Sequence, residues 1–225
     1  PLALLRKLGR RTAMLGRYVV NRFVRGIRIE RPPVFILGCP HSGTSVLLAI
    51  LDAHPNLCGI PFESGIGHME DPGPFLRRFD LFAVQAGAHR WVEKTPDHIR
   101  CIDRLLELYP DAPILLIIRD GRDVAFSLKK RHGRVNIRRW MKLNTIGEAY
   151  WDHPRVHVLR YEALVTDFSG TMTAILEFID EPVMDLSDFH EKPRHIFSRT
   201  IRKPPDASAE HHNEHRNWQI NQPLF

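Results

Sequence analysis

Short, unbroken apolar runs alternate along this chain with longer stretches in which apolar positions return every three or four residues. Val34 to Leu37, set between Pro33 and Gly38, is apolar throughout, as expected of a strand buried on both faces. Ile114 to Ile118, five consecutive Ile and Leu residues, is the clearest strand of this kind, and residues 90 to 93 and Val156 to Leu159 read as shorter ones. Helical spacing predicts helices at Val46–Leu51, Asp97–Leu108, Gly121–Lys130, Asn136–Trp151 and Gly170–Ile179. Asp97 can cap the second of these, which Pro110 terminates. Asp120 is a plausible N-cap for the third, with Asp123 in its first turn where the helix dipole favours negative charge. Strands alternating with helices predict an α/β fold, a three-layer sandwich around a central parallel sheet. No internal repeat is evident.

Charge changes the picture at one end. The chain has 225 residues and a net charge of +6, and nine of its 32 basic residues lie in residues 1–31 against the single acid Glu30. That segment carries +8 and the remainder −2. Leu4, Leu5, Leu8, Leu15, Val19, Phe23 and Val24 recur within it at helical spacing, which predicts a basic amphipathic helix suited either to an anionic membrane surface or to packing on the domain. Nucleic acid is not an expected partner, since the rest of the chain is slightly acidic and has no reader motif. No apolar run approaches the length of a membrane span. An uninterrupted signal-peptide core is lacking from the first 31 residues as well. Cys39, Cys58 and Cys101 cannot all pair and have no C-x-x-C spacing, so a disulfide scaffold is not expected. His211, His212 and His215 invite a metal reading, but no carboxylate pattern accompanies them, and no metal site is expected.

Candidate chemistry begins at Gly38-Cys39-Pro40-His41-Ser42-Gly43-Thr44-Ser45, between the first strand and its helix. The spacing G-x-x-x-x-G lets the backbone curl around an anion and aims amide N–H groups at phosphate oxygens. A nucleoside-triphosphatase loop would continue with lysine, and Thr44 stands there instead. A second anion site is suggested by R-D-G-R-D-V-A-F-S, residues 119–127, at the carboxyl end of the clearest strand. Ligands of open parallel sheets bind beyond that end. Arg119 offers a charged fork and Ser127 a hydroxyl to one crevice shared with the glycine loop.

Together the two motifs resemble the sulfotransferases that use 3′-phosphoadenosine 5′-phosphosulfate (PAPS). F-I-L-G-C-P-H-S-G-T-S-V-L-L-A-I-L-D-A-H-P, residues 35–55, is similar to that family's 5′-phosphosulfate loop and helix, and I-I-R-D-G-R-D-V-A-F-S, residues 117–127, to its 3′-phosphate motif. E-K-T-P-D-H at 93–98, R-R-W at 138–140 and R-Y-E-A-L-V at 160–165 are further family-like elements, and the resemblance spans about residues 33–180. It implies a P-loop nucleotide-kinase-like fold, PAPS as co-substrate and no metal. The absent lysine then matches a donor without a γ-phosphate. The implied organisation is a basic N-terminal helix at 1–31 and a sulfotransferase domain at 32–225, with truncation at its C-terminus left open.

Sulfuryl transfer needs alignment, charge neutralisation at the bridging oxygen and a base at the acceptor. The resemblance implies Ser42, Gly43, Thr44, Ser45, Arg119 and Ser127 as the nucleotide cradle, with Arg122 a weaker addition. Glu63, following His54-Pro55, is the expected general base. His41 stands where many relatives carry Lys or Arg, so His41 or Lys94 is expected at the leaving group. Arg199, Arg202 and Lys203 could supply part of a closing loop over the adenine. The acceptor is open among glycan, lipid, small-molecule alcohol and peptide tyrosine, with a carbohydrate or lipid-linked hydroxyl expected first by family analogy, and its specificity is set by variable loops such as Ser64–Pro74 and by the C-terminal tail. A nucleotide kinase or triphosphatase with an altered loop, and a non-catalytic membrane-associated binding protein, are the competing readings. The expected location is cytoplasmic, with peripheral membrane contact left open, and the alternative is the Golgi lumen within a membrane-anchored protein.

Overall fold

A computed structural model describes residues 29–133 and 136–189. Five parallel strands form the sheet: β1 (Val34–Gly38), β2 (Leu57–Gly59), β3 (Arg90–Lys94), β4 (Ile114–Ile118) and β5 (Val156–Arg160), in the order β2-β3-β1-β4-β5. The helices are α1 (Thr44–Leu51), α2 (Gly73–Gln85), α3 (Ile102–Leu108), α4 (Gly121–His132), α5 (Ile137–Glu148), α6 (Tyr161–Thr166) and α7 (Phe168–Phe178), with short 3-10 turns at Ile66–His68 and Pro96–Arg100.

The uninterrupted apolar runs have a direct cause. In β1, Val34 and Ile36 enter one core with Leu47 and Leu48 of α1, Leu164 of α6 and Ile175 of α7. Phe35 and Leu37 enter a second core, on the other face, with Phe79 of α2, Leu105 of α3, Val124 of α4 and Leu143 of α5. Strand β4 divides the same way, Leu115 and Ile117 against Ile114 and Leu116. Because side chains alternate across a strand, a sheet with a core on each face needs apolar residues at both parities. Each such fully buried side chain contributes about 1.5–3 kcal/mol of transfer free energy.

The expected three-layer sandwich is therefore the observed one, with differences in detail. Strand β2 and helix α2 appear where no element was expected, α2 taking in the last two residues of the supposed loop Ser64–Pro74. The expected helix Asp97–Leu108 is broken at Cys101, whose φ of −140° is not helical. Asp97 caps nothing; its carboxylate instead accepts from Arg100 at 3.0 Å and Arg139 at 3.3 Å. Asp120 does cap α4, accepting from the Arg122 amide at 2.8 Å. All three cysteines are free, and burial pushes the Cys39 thiol up to about 11 and that of Cys58 to about 12.

Of the expected segment 1–31, residues 1–28 lie outside the described residues. Residues 29–31 are irregular chain, with the Glu30 and Arg31 amides on the carbonyl of His89. Arg90, 3% exposed, ties this entry to the end of α7. It donates to the carbonyls of Pro32 at 2.6 Å and Ile179 at 2.5 Å and lies 3.4 Å from Glu181. Burial draws its guanidinium down to about 10 against the opposing pull of Glu181. Arg199, Arg202, Lys203, His211, His212 and His215 also lie outside the described residues. Among those described, no helix is long and apolar enough to cross a membrane, and no group of three His, Cys, Asp or Glu side chains could hold a metal ion.

Candidate active site

The site lies along the carboxyl edge of the sheet, where β1 gives way to the glycine loop. Strand β1 is flanked by β3 and β4, and the chain leaves β1 toward β2 on one side and β4 toward β5 on the other. Loops that diverge in this way open a crevice above the sheet.

The loop keeps its path through residues with positive φ. At Gly43, φ is 98°, and a Cβ there would lie 2.7 Å from Tyr161 Cε2 and nearer still to Cδ2. Gly38, φ 152°, passes so close to β4 that a Cβ would meet the Ile117 carbonyl. His41 is the non-glycine exception, at φ 73°, a conformation that costs of order 1–3 kcal/mol and persists only where surroundings impose it. The surroundings here are the second motif. His41 Nδ1 lies 2.9 Å from Ser127 Oγ, and Arg119 donates to the His41 carbonyl at 3.3 Å. The two motifs, 78 residues apart at Arg119 and His41, thus meet across the β1–β4 crevice.

Two polar atoms of these motifs are buried without a hydrogen-bond partner. Ser42 is completely buried and its Oγ has no hydrogen-bond partner; the Nε of Arg119 is likewise buried without one. Orphaned buried donors carry a desolvation cost of about 1–3 kcal/mol each unless a ligand meets them. Thr44 and Ser45 open α1, and the first amides of a helix have no partner within it. Thr44 is buried and Ser45 exposed. The donor set is cationic and amide-rich, which fits a phosphate group.

Arg119 is fixed from several directions, and of the residues around it Tyr161, Trp140 and Glu162 had no individual role in the sequence. Its guanidinium carbon lies 4.3 Å from the centroid of the Tyr161 ring, a cation–π distance, and Asp123 is 3.8 Å away. Trp140 Nε1 donates to the Arg119 carbonyl at 3.0 Å, and Glu162 accepts from the Asp120 amide at 2.8 Å. These are the R-R-W and R-Y-E elements. Tyr161 is wedged between Gly43 and Arg119, so one ring sets the spacing between the glycine loop and the Arg119 side chain. Burial holds its phenol above the ordinary range although Arg119 opposes this. Arg122 faces solvent and pairs with Asp120 at 2.7 Å, away from this cluster.

Glu63 and Lys94 are also brought together. Lys94 Nζ donates to Glu63 Oε1 at 2.7 Å. The lysine side chain is 10% exposed and the carboxylate 57%, so the charge pair runs from the end of β3 toward solvent. Strand β3 neighbours β1, with Lys94 in register with Ile36, and the pair therefore sits on the same edge as the glycine loop. An ammonium has three N–H donors, and one is on Glu63.

Comparison with known proteins bears on this arrangement. A model of the sulfotransferase family matches residues 75–185, a stretch that contains Lys94, Arg119 and Ser127. A protein-tyrosine sulfotransferase of Drosophila melanogaster is 28% identical over 216 residues, covering 76% of this chain and 42% of the relative. The chain spans between about a third and about half of the length of the curated relatives it matches first. Among solved structures, a sulfotransferase from Alicyclobacillus acidocaldarius aligns with a TM-score of 0.52 at 21% identity, over 75% of this chain and 92% of that one. A mouse sulfotransferase described as complexed with PAP aligns with a TM-score of 0.53 at 16% identity, over 76% of this chain and 68% of that one. At such identities the structural matches speak for the fold. The resemblance read from the motifs is thus shared by a family model, by curated relatives and by the fold of solved sulfotransferases.

Proposed function

We propose that this chain, similar to sulfotransferases in motif, sequence and fold, is a PAPS-using sulfotransferase domain over residues 32–225 that sulfates an acceptor hydroxyl. The observation that carries the reading is the meeting of His41 with both Arg119 and Ser127, which makes one crevice of two anion sites. Ser42, Gly43, Thr44 and Ser45 would hold the 5′-phosphosulfate end, and Arg119 with Ser127 the 3′-phosphate. The buried, unpartnered Ser42 Oγ and Arg119 Nε support that cradle. The complex with PAP described for the mouse relative agrees with it.

When bound, PAPS supplies an activated SO3 group on a bridging phosphate oxygen. The S–O bond to the acceptor forms as the S–O bond to the bridging oxygen breaks. Glu63 takes the acceptor hydroxyl's proton, which the growing S–O bond makes acidic, and its exposure leaves it open to an acceptor arriving from solvent. Lys94 keeps the carboxylate oriented through one N–H and has two more with which to meet negative charge at the leaving oxygen. His41, the alternative there, is held on Ser127 and orders the loop. The names of the curated relatives make peptide tyrosine an acceptor to test beside carbohydrate.

The test uses radiolabelled PAPS with a pool of chitooligosaccharide, a tyrosine-containing peptide and 2-naphthol, alongside calorimetry with PAP. The parent is expected to label one acceptor, and Glu63→Gln to bind PAP with parental affinity while transfer falls by about 10²-fold or more, the contribution of a positioned base. A Glu63→Gln protein that transfers at the parental rate would remove the base assignment. A parent that labels none of the pool, or that binds ATP with magnesium in preference to PAP, would overturn the reading.

A further inference from the structure

Beside the Glu63–Lys94 pair lies a carboxylate that the chemistry above does not use. Glu93 is 0% exposed, at the end of a central strand where a charged side chain is costly unless fully partnered. Its Oε1 accepts from three donors: the Ser64 amide at 3.1 Å, the Ser64 hydroxyl at 2.7 Å and the Thr95 hydroxyl at 2.5 Å. Its Oε2 lies 3.1 Å from His98 Nδ1, in a bent approach with no other partner for either atom. His98 is itself completely buried.

The partners are not scattered. Ser64 follows Glu63 and Thr95 follows Lys94, so one buried carboxylate grips the residue after each member of the pair. The grip continues along the segment beyond Glu63: the Gly65 amide donates to Thr95 Oγ1 at 3.4 Å and the Gly67 amide to His98 Nε2 at 3.2 Å. That last bond settles the tautomer. Nε2 accepts an N–H, so the proton of a neutral His98 is on Nδ1, facing Glu93. Burial would push the Glu93 carboxyl up, yet His98, Thr95 and Ser64 together hold it below the ordinary range. Glu93, Thr95 and His98 thus present acceptors to the amides of Ser64, Gly65 and Gly67 and clamp residues 64–67 onto the end of β3.

We propose that Glu93, Thr95 and His98 form a positioning hub that fixes the Glu63 segment to β3 and so sets the geometry of the Glu63–Lys94 pair. None of the three touches the nucleotide crevice through any contact described above, and their action is through Ser64 and the backbone. The proposal rests on the reading of Glu63 and Lys94 as the reacting pair.

The experiment compares parent, Thr95→Val, Thr95→Ser, Ser64→Ala and Glu93→Gln, each measured for kcat and KM with the acceptor that the parent labels, for PAP affinity, and for amide hydrogen exchange of residues 63–68. Thr95→Val is nearly isosteric and deletes one hydroxyl, so it tests the hub even where Glu93→Gln fails to fold. Expected are a tenfold or greater fall in kcat for Thr95→Val and Ser64→Ala, PAP affinity and donor KM within twofold of parental, faster exchange at 63–68 with no change at 38–45, and recovery in Thr95→Ser. Parental kcat in Thr95→Val, or exchange at 63–68 equal to parental, would overturn the hub while leaving the transfer reading intact. An equal loss of PAP affinity and kcat would assign the residues to general stability instead. A parent that binds PAP but labels no acceptor would sink the transfer reading, and the hub with it.

Discussion

Gly43→Ala tests whether the glycine loop and the second motif share one physical spacer. An L residue at φ 98° lies in the left-handed region, at a cost of roughly 1–2 kcal/mol. The added methyl would also sit 2.7 Å from Tyr161 Cε2 and closer to Cδ2, whereas carbon atoms rest at about 3.5–4.0 Å. The ring must retreat by about 1 Å, and overpacking of that kind costs about 1–3 kcal/mol. The total expected destabilisation is therefore about 2–5 kcal/mol. The ring cannot move alone, because Arg119 rests 4.3 Å over it, so the guanidinium shifts from its position above the His41 carbonyl. Moving Arg119 away from the 3′-phosphate it would hold loses a charge-assisted hydrogen bond worth about 1.5–3 kcal/mol, which converts to a weakening of PAP binding by about 10- to 150-fold. Calorimetry with PAP and a thermal melt measure the two effects. Tyr161→Ala combined with Gly43→Ala relieves the clash but not the backbone strain, so the double mutant should be less destabilised than the sum of the two single changes. The reasoning is refuted if Gly43→Ala binds PAP within twofold of parental, or if the two substitutions are strictly additive.

Two further outcomes follow from single carboxylates. Asp120→Ala removes the α4 cap on the Arg122 amide, at about 1 kcal/mol, and should lower Tm by about 2–4 °C in a domain of this size; Asp120→Asn, which keeps an acceptor, should melt close to the parent, and equal losses in both would refute the cap. Because folding depresses the Glu93 carboxyl, the unfolded chain binds that proton first, so the contribution is complete above the ordinary glutamate value of about 4.3 and is lost as pH falls below it. Urea midpoints from pH 6 to pH 3 should therefore fall less steeply in Glu93→Gln than in the parent, and parallel curves would show that Glu93 is not the group responsible.

How much of this was legible in the sequence depended on the strands. Strands β1 and β4 announce themselves because a sheet with a core on each face requires apolar residues at both parities, and Val34–Leu37 and Ile114–Ile118 meet that demand without a break. Strand β2, three residues at the sheet edge, is too short to form a pattern. Helix α2 carried a signal that was missed: Phe75, Phe79, Phe82 and Ala83 have helical spacing, but Pro72-Gly73-Pro74 reads as loop, although proline is tolerated in a helix's first turn. The Asp97 carboxylate is taken up by Arg100 in its own turn at 3.0 Å and by Arg139 from a different helix at 3.3 Å, and only the second of these lies beyond the reach of local pattern.

The same logic explains which site residues could be seen. A parallel sheet puts every carboxyl end on one edge, so each strand delivers its chemistry in the residues that follow it: the glycine loop after β1, Glu63 after β2, Lys94 at the end of β3, Arg119 after β4 and Tyr161 after β5. Finding a strand amounts to finding a piece of the site. Glu63 is the member that no strand pattern announced, because β2 is the strand that left none, and its assignment had to come from the resemblance. The hub shows the limit of the approach from the other direction. Glu93, Thr95 and His98 sit in a segment that the resemblance already marked, but nothing in E-K-T-P-D-H tells which of its polar side chains is buried. Only the arrival of Ser64, Gly65 and Gly67, about 30 residues earlier in the chain, turns a charge at a strand end into a completely buried one with four groups around it.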